Sequence, residues 1–160
     1  MGVSNISFIG EGGLSFDRLM SNRGRALRTR VEEMKPDVLV LVIGANDLDS
    51  ESRPSVCDVI VRLLTTLDWI QTLETKTLIM PLFKRSTKPR QGRHKGRGDY
   101  NEVLNEFNQV TKFYLDNTER AGVGRFLRVE DKDLIDDVHL TDQGYGRLLL
   151  TIKGSLHKAI

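Results

Sequence analysis

Near the C-terminal end of the chain, Asp136 and His139 stand three residues apart in the run Asp136-Asp137-Val138-His139-Leu140-Thr141. A carboxylate at that spacing, in a turn ahead of a helix, can hold an imidazole through its Nδ1–H and leave Nε2 to act as a general base. Thr141 is a good N-cap for the helix that follows. A second constellation, Gly44-Ala45-Asn46-Asp47, comes directly after the most apolar stretch of the sequence. Glycine permits a close turn there, and an asparagine amide can donate to a developing oxyanion. A third, Gly10-Glu11-Gly12-Gly13-Leu14-Ser15, is a glycine-rich turn whose backbone N–H groups can face an anion. It has neither the spacing of a phosphate-binding loop nor that of a dinucleotide fingerprint. Each of the three is also compatible with ordinary turn chemistry, and Ser15 reads as a helix N-cap rather than a nucleophile.

The elements that must position these residues alternate short apolar runs with longer amphipathic stretches, the pattern of an α/β domain with a parallel sheet covered by helices. Ile6 to Ile9 reads as a first strand, and Asp17 to Met34 as a helix interrupted near Gly24. Val38 to Ile43 has no polar alternation, as expected of a strand buried on both faces in the middle of such a sheet. Ser55 to Leu73 reads as a helix, Thr77 to Met80 as a strand, and Tyr100 to Asn117 as a helix with Val103, Leu104, Phe107, Val110, Phe113 and Tyr114 near one face. Phe126 to Val129 is the last expected strand and Gly144 to Ala159 the closing helix. In open parallel sheets, ligands bind beyond the carboxyl ends of the strands, which is where the Gly44 turn falls.

One domain over residues 1–160 accounts for the length, and 39% hydrophobic with 29% charged residues excludes disorder and fibrous repeats. No run approaches the roughly 20 apolar residues of a membrane span, and no signal-peptide pattern opens the chain. The single Cys57 cannot form an internal disulfide and reads as a buried helical residue. A reducing, cytoplasmic setting is expected. Segment 84–98 is a basic flexible loop carrying Lys84, Arg85, Lys88, Arg90, Arg93, Lys95 and Arg97 without an acid. Such a loop can contact nucleic acid or anionic lipid through salt-sensitive attraction, although it lacks aromatic residues for base stacking and the formal net charge is only +2.

Taken together and in order, Lys35-Pro36-Asp37, Gly44-Ala45-Asn46-Asp47-Leu48 and the string from Asp136 through Asp142-Gln143-Gly144-Tyr145 resemble the SGNH hydrolases, the GDSL esterase and lipase family. Phe107-Asn108 is also similar to the family, and the resemblance covers nearly the whole chain. It implies a flavodoxin-like three-layer α/β/α sandwich with a parallel central sheet. It also implies hydrolysis of small-molecule, lipid or carbohydrate esters, with neither cofactor nor metal. On this resemblance Asn46 matches the oxyanion-hole asparagine, Asp136 the carboxylate of the triad and His139 the general base, with Gly44 shaping the asparagine's turn.

The departure is the nucleophile, because the family's Gly-Asp-Ser does not occur. Either Gly10-Glu11-Gly12 occupies that position, with Gly12 in place of serine, or Gly12-Gly13-Leu14-Ser15 is the second family block. In the second case Gly13 contributes its N–H to the oxyanion hole, and the nucleophile block and first family strand lie before Met1. The interval from Gly13 to Asn46, with one helix between, favours the second. The expected functions are therefore a serine esterase or acyl hydrolase, truncated or inactive for want of its nucleophile, and alternatively a non-catalytic binding module of the same fold or a binder of nucleic acid or anionic surfaces.

Overall fold

The structure, a computed structural model, describes residues 6–50, 52–86, 99–116, 118, 121–136 and 138–159, with the side chains of residues 158 and 159 left out. The elements run α1 (Phe16–Met20), a 3₁₀ turn (Asn22–Gly24), α2 (Arg25–Met34), β1 (Val38–Leu41), α3 (Ala45–Leu48), α4 (Val56–Gln71), β2 (Lys76–Ile79), α5 (Tyr100–Leu115), β3 (Ala121–Val123), a second 3₁₀ turn (Asp131–Asp133) and α6 (Asp142–Ala159). The three strands are parallel in the order β1-β2-β3, with Leu39 opposite Thr77 and Thr77 opposite Ala121.

Alternation along the strands sorts the two faces of the sheet. Leu39, Leu41, Ile79 and Val123 belong to the main core, where they meet Phe16 and Leu19 of α1, Val59, Leu63 and Ile70 of α4, and Leu104 and Phe107 of α5. On the opposite face Met80 lies against Gly124, which in turn approaches Ser155 of α6. A smaller cluster of Leu127, Leu134, Leu140 and Leu148 secures the base of α6. Helices therefore flank a parallel sheet, as an α/β flavodoxin-like fold requires.

Local chemistry accounts for the helix starts. Ser55 caps α4 by accepting from Asp58 N at 3.2 Å while Asp58 accepts from Ser55 N, a reciprocal capping box. Ser15 caps α1 by accepting from Arg18 N, and the Thr141 hydroxyl accepts from Gly144 N at the head of α6, two residues earlier than the expected start.

Five expectations are corrected. Ile6 to Ile9 is not a strand: it has no ladder partner among the described residues, and without one its backbone groups gain nothing from extended pairing. The valine-rich run ends its strand at Leu41 and, among the described residues, pairs only with β2, so β2 and not β1 is the middle of the described sheet. The last strand is Ala121–Val123 rather than Phe126 to Val129, because pairing to β2 falls on a glycine-containing segment whose propensity hides it, while Leu127 and Val129 pack with α6. Cys57 lies on α4 but is exposed, and on α5 Phe113 and Tyr114 face outward because the buried stripe runs through Tyr100, Leu104, Phe107, Thr111 and Leu115.

Candidate active site

Two turns meet beyond the C-terminal end of β1. Gly44, at φ 116°, is in a backbone region that L-residues rarely adopt, and a Cβ there would lie 3.1 Å from the Phe16 ring. Only glycine lets the chain leave β1 closely enough to start α3. Asn46 then donates from Nδ2 to the Leu14 carbonyl at 2.8 Å, which joins the Asn46 turn to the glycine turn and leaves its second amide hydrogen uncommitted to that bond. Gly13 sits in the left-handed region at φ 69°, and the Leu14 N–H closes the turn on the Glu11 carbonyl at 3.3 Å. Arg18 clamps this turn by donating to the Gly12 carbonyl at 2.9 Å and pairing with Glu11 at 2.5 Å.

Below these turns lies Asp47, a fully buried carboxylate. It accepts the Phe16 N–H at 2.9 Å, and Arg62 stands 3.4 Å from its other oxygen while pairing more closely, at 2.9 Å, with Asp17. Burial pushes the Asp47 carboxyl up, and the backbone N–H groups of Phe16 and Asp17 and the Arg62 side chain oppose that rise. Residues 46 and 47 thus hold residues 14 to 17 from both sides.

The third piece is the turn before α6. A Leu134 to Leu140 bridge, with Ile135 N donating to His139 O at 2.8 Å and Thr141 N to Asp133 O at 2.7 Å, folds it into a tight loop. Within it, one Asp136 oxygen accepts the backbone N–H groups of His139 at 2.7 Å and Val138 at 2.8 Å, and the other faces His139 Nδ1 at 2.8 Å. The backbone N–H of His139, its ring and then the Val138 N–H hold the Asp136 carboxyl far below the usual carboxylate range. An ionised carboxylate can only accept, so Nδ1 carries the proton, and in the neutral ring Nε2 presents its lone pair. Asp133 anchors the loop: it is buried, accepts the Glu130 N–H at 2.9 Å and is paired to Arg147 of α6.

A crevice of about 150 Å³ joins these pieces, lined among others by Leu14, Gly44, Asn46, Arg85, Tyr100 and Val138, the residue before His139. Asn46, Leu14 and Val138 therefore share one crevice, whereas Gly13, Asp136 and His139 are not among its lining residues. Arg85 lies over the Tyr100 ring, 4.1 Å from its centroid, and is paired to Asp49, so its charge is committed inside the cleft rather than offered by a basic loop. Burial, against the opposing charge of Arg85, pushes the Tyr100 hydroxyl up to about 12. Lys88, Arg90, Arg93, Lys95 and Arg97 lie outside the described residues. Ser15 is occupied as a helix cap, and among the described residues no hydroxyl is hydrogen-bonded to His139. No cluster of three metal-ligating side chains occurs among them either, nor a helix long and apolar enough to cross a membrane.

The residues that sequence reasoning missed are the clamps Arg18, Arg62, Asp133 and Arg147. Asp47 was visible only as part of a turn. A charge separated by many residues from its partner carries no local signal, so only the fold pairs Arg62 with Asp47 or Arg147 with Asp133.

The sequence model of the GDSL-like Lipase/Acylhydrolase family matches residues 3–147. No curated protein matches the chain. Among solved structures, a carbohydrate esterase family 3 protein from Talaromyces cellulolyticus superposes with a TM-score of 0.68 at 15% identity, covering 91% of this chain and 68% of that one.

Proposed function

Because the chain belongs to the GDSL-like lipase/acylhydrolase family, we propose that it is an ester hydrolase domain that acts on acyl or acetyl esters. In this reading His139 is the general base, Asp136 orients it, and the Asn46 amide and Gly13 N–H receive the oxyanion. The observation that carries it is the 2.8 Å contact between Asp136 and His139 Nδ1, with the second carboxylate oxygen already held by two backbone N–H groups. That arrangement sets both tautomer and ring direction before any substrate arrives. A hydroxyl delivered to Nε2 gives up its proton there as it attacks the ester carbonyl, and the ionised Asp136 stabilises the imidazolium that forms. The negative charge appearing on the carbonyl oxygen is met by donors that need no reorganisation. The carbohydrate esterase neighbour makes acylated saccharides a reasonable first substrate class to assay.

A second reading, a non-catalytic binding module using the same crevice, is favoured by one observation: no described hydroxyl is hydrogen-bonded to His139. Hydrolysis of p-nitrophenyl acetate separates the two. The hydrolase reading expects turnover that falls with His139→Ala, together with labelling of a serine by a fluorophosphonate. A rate indifferent to His139→Ala, with no labelling, leaves the binding module.

A further inference from the structure

Past Ile79 the β2 ladder runs out, and Pro81 has no N–H with which to extend it. The segment from Leu82 to Arg85 is nevertheless anchored, by two asparagine side chains of α5 that stand seven residues apart and so on one face of that helix. Asn108 accepts the Leu82 N–H at 2.9 Å and donates to the Leu82 carbonyl at 2.8 Å. Asn101 does the same for Arg85, at 3.0 and 3.2 Å. A side-chain amide carries both an acceptor and donors, so each asparagine satisfies both backbone groups of its residue as a neighbouring strand would. The segment splinted in this way meets α3 at both ends. At the start, Leu82 Cδ1 stands 3.4 Å from the place of a Cβ on Gly44. At the far end, the Arg85 guanidinium pairs with Asp49, whose N–H closes α3 on the Ala45 carbonyl at 3.1 Å. That pair is largely shielded, with 11% of the Arg85 and 16% of the Asp49 side chain exposed, and the Tyr100 ring floors the guanidinium.

A helix of four residues is a single turn, too short to hold its own shape. The position of α3 is therefore imposed from outside, by the buried Asp47 beneath it and by Leu82 and Arg85 at its two ends. Asn46 lies inside that turn, so a shift of Asp49 relative to Gly44 carries its amide away from the Leu14 carbonyl that it meets at 2.8 Å. We infer that Arg85 is a positioning residue for Asn46: held by Asn101 and Tyr100, it fixes the far end of α3 through Asp49 and so aims the amide hydrogen that the Leu14 bond leaves over. An oxyanion donor is effective only if it is aimed before charge develops, which is what a rigid support of this kind supplies. The inference rests on the hydrolase reading for the use of that hydrogen, whereas the anchoring of α3 stands apart from it.

The test reads the full chain by NMR. Arg85→Met keeps the length and the contact with Tyr100 but removes the charge and the donors. It is expected to speed exchange of the Leu48 amide, which donates to the Gly44 carbonyl at 3.1 Å, by ~10-fold more than it speeds the Leu39 and Leu78 amides of the sheet. The Asn46 side-chain amide resonance is expected to move toward that of free asparagine. Arg85→Lys restores a cation opposite Asp49 and is expected to recover at least half of the effect on a logarithmic scale. Asp49→Asn should loosen α3 as well, and the two changes together should fall short of the product of their separate effects, because they sever one contact. The inference is overturned by a Leu48 amide that does not outpace the sheet amides, as a general loss of stability would give. A lysine variant no better than methionine overturns it too, as do effects of Arg85→Met and Asp49→Asn that multiply in full. Turnover of p-nitrophenyl acetate reports on the hydrolase reading separately. Arg85→Met is expected to cut kcat by ~10-fold with KM held within about twofold, since the donor acts on charge that appears in the transition state. An unchanged kcat beside a loosened α3, or no turnover by the parent protein, overturns Asn46 as an oxyanion donor and upholds the anchoring by Arg85.

Discussion

Replacing Asp47 by alanine tests whether the site is held together from beneath. The side chain is 1% exposed, accepts the Phe16 N–H at 2.9 Å and faces Arg62 at 3.4 Å. Truncation leaves the Phe16 N–H without its acceptor, a penalty of about 1–3 kcal/mol for a buried donor. It also strips Arg62 of one of two carboxylates. Arg62 keeps the exposed Asp17, so this second loss falls well short of the 3–5 kcal/mol of a fully broken buried pair. A total of roughly 3 kcal/mol follows, which for a domain of this size lowers Tm by roughly 6–12 °C. Asp47→Asn preserves the shape and one acceptor oxygen, and is expected to cost about half as much.

The pH dependence supplies a sign. Burial raises the Asp47 carboxyl above its ordinary value of 3.8, so its protonated form is the better tolerated in the folded state. The associated stability is present below that ordinary value and lost as pH rises through the raised one. Asparagine, always neutral, loses nothing over that range, so the penalty of Asp47→Asn is expected to shrink as pH rises from about 4. Urea unfolding of the three proteins at several pH values measures all of this. An alanine variant within about 1 kcal/mol of the parent, below the span expected for one unsatisfied buried donor, would refute the reasoning.

Gly44→Ala places a Cβ 3.1 Å from the Phe16 ring at φ 116°, and is expected to destabilise by about 2–4 kcal/mol in urea melts through strain and overpacking together. Arg147→Ala leaves the Asp133 carboxylate with the Glu130 N–H and the nearby Lys132 charge; because Arg147 is itself more than a third exposed, the cost is expected at about 1–2 kcal/mol rather than that of a fully buried pair, with the loss concentrated in the histidine loop when hydrogen exchange is read residue by residue. For Asp136 the carboxyl is depressed, so its contribution is present above the ordinary 3.8 and lost as pH falls through the lower folded value. Asp136→Asn should therefore flatten the acid limb of the stability profile, and an unchanged limb by circular dichroism would count against the three hydrogen bonds assigned to that side chain.

Much of the site was legible in the chain because its parts are short. Asp136 and His139 are three residues apart, the Ser15 and Thr141 caps act within three, and each required only local turn geometry. The apolar face of α4 was equally readable, with Val59, Leu63, Leu67 and Ile70 all buried. Strand order was not. Val38 to Ile43 reads as central from its composition, yet which strand lies in the middle depends on which segments find partners, and Ile6 to Ile9 finds none among the described residues. β3 was misplaced for the same reason, since its pairing with β2 is enforced by α5 packing rather than by the propensity of Ala121-Gly122-Val123.

By itself, then, the sequence determined most of the helices, the turns and the residue types of the candidate site, all set by spacing within one or two turns of chain. Only the tertiary structure decided that Asn46 reaches Leu14 across thirty-two residues, that Asp47 holds Phe16 across thirty-one, and that Val138 joins Asn46 in one crevice. Among the described residues it also left the His139 ring without a hydrogen-bonded hydroxyl and the outer edge of β1 without a strand neighbour. Those are relations between distant segments, fixed by burial and backbone pairing that no window of sequence contains.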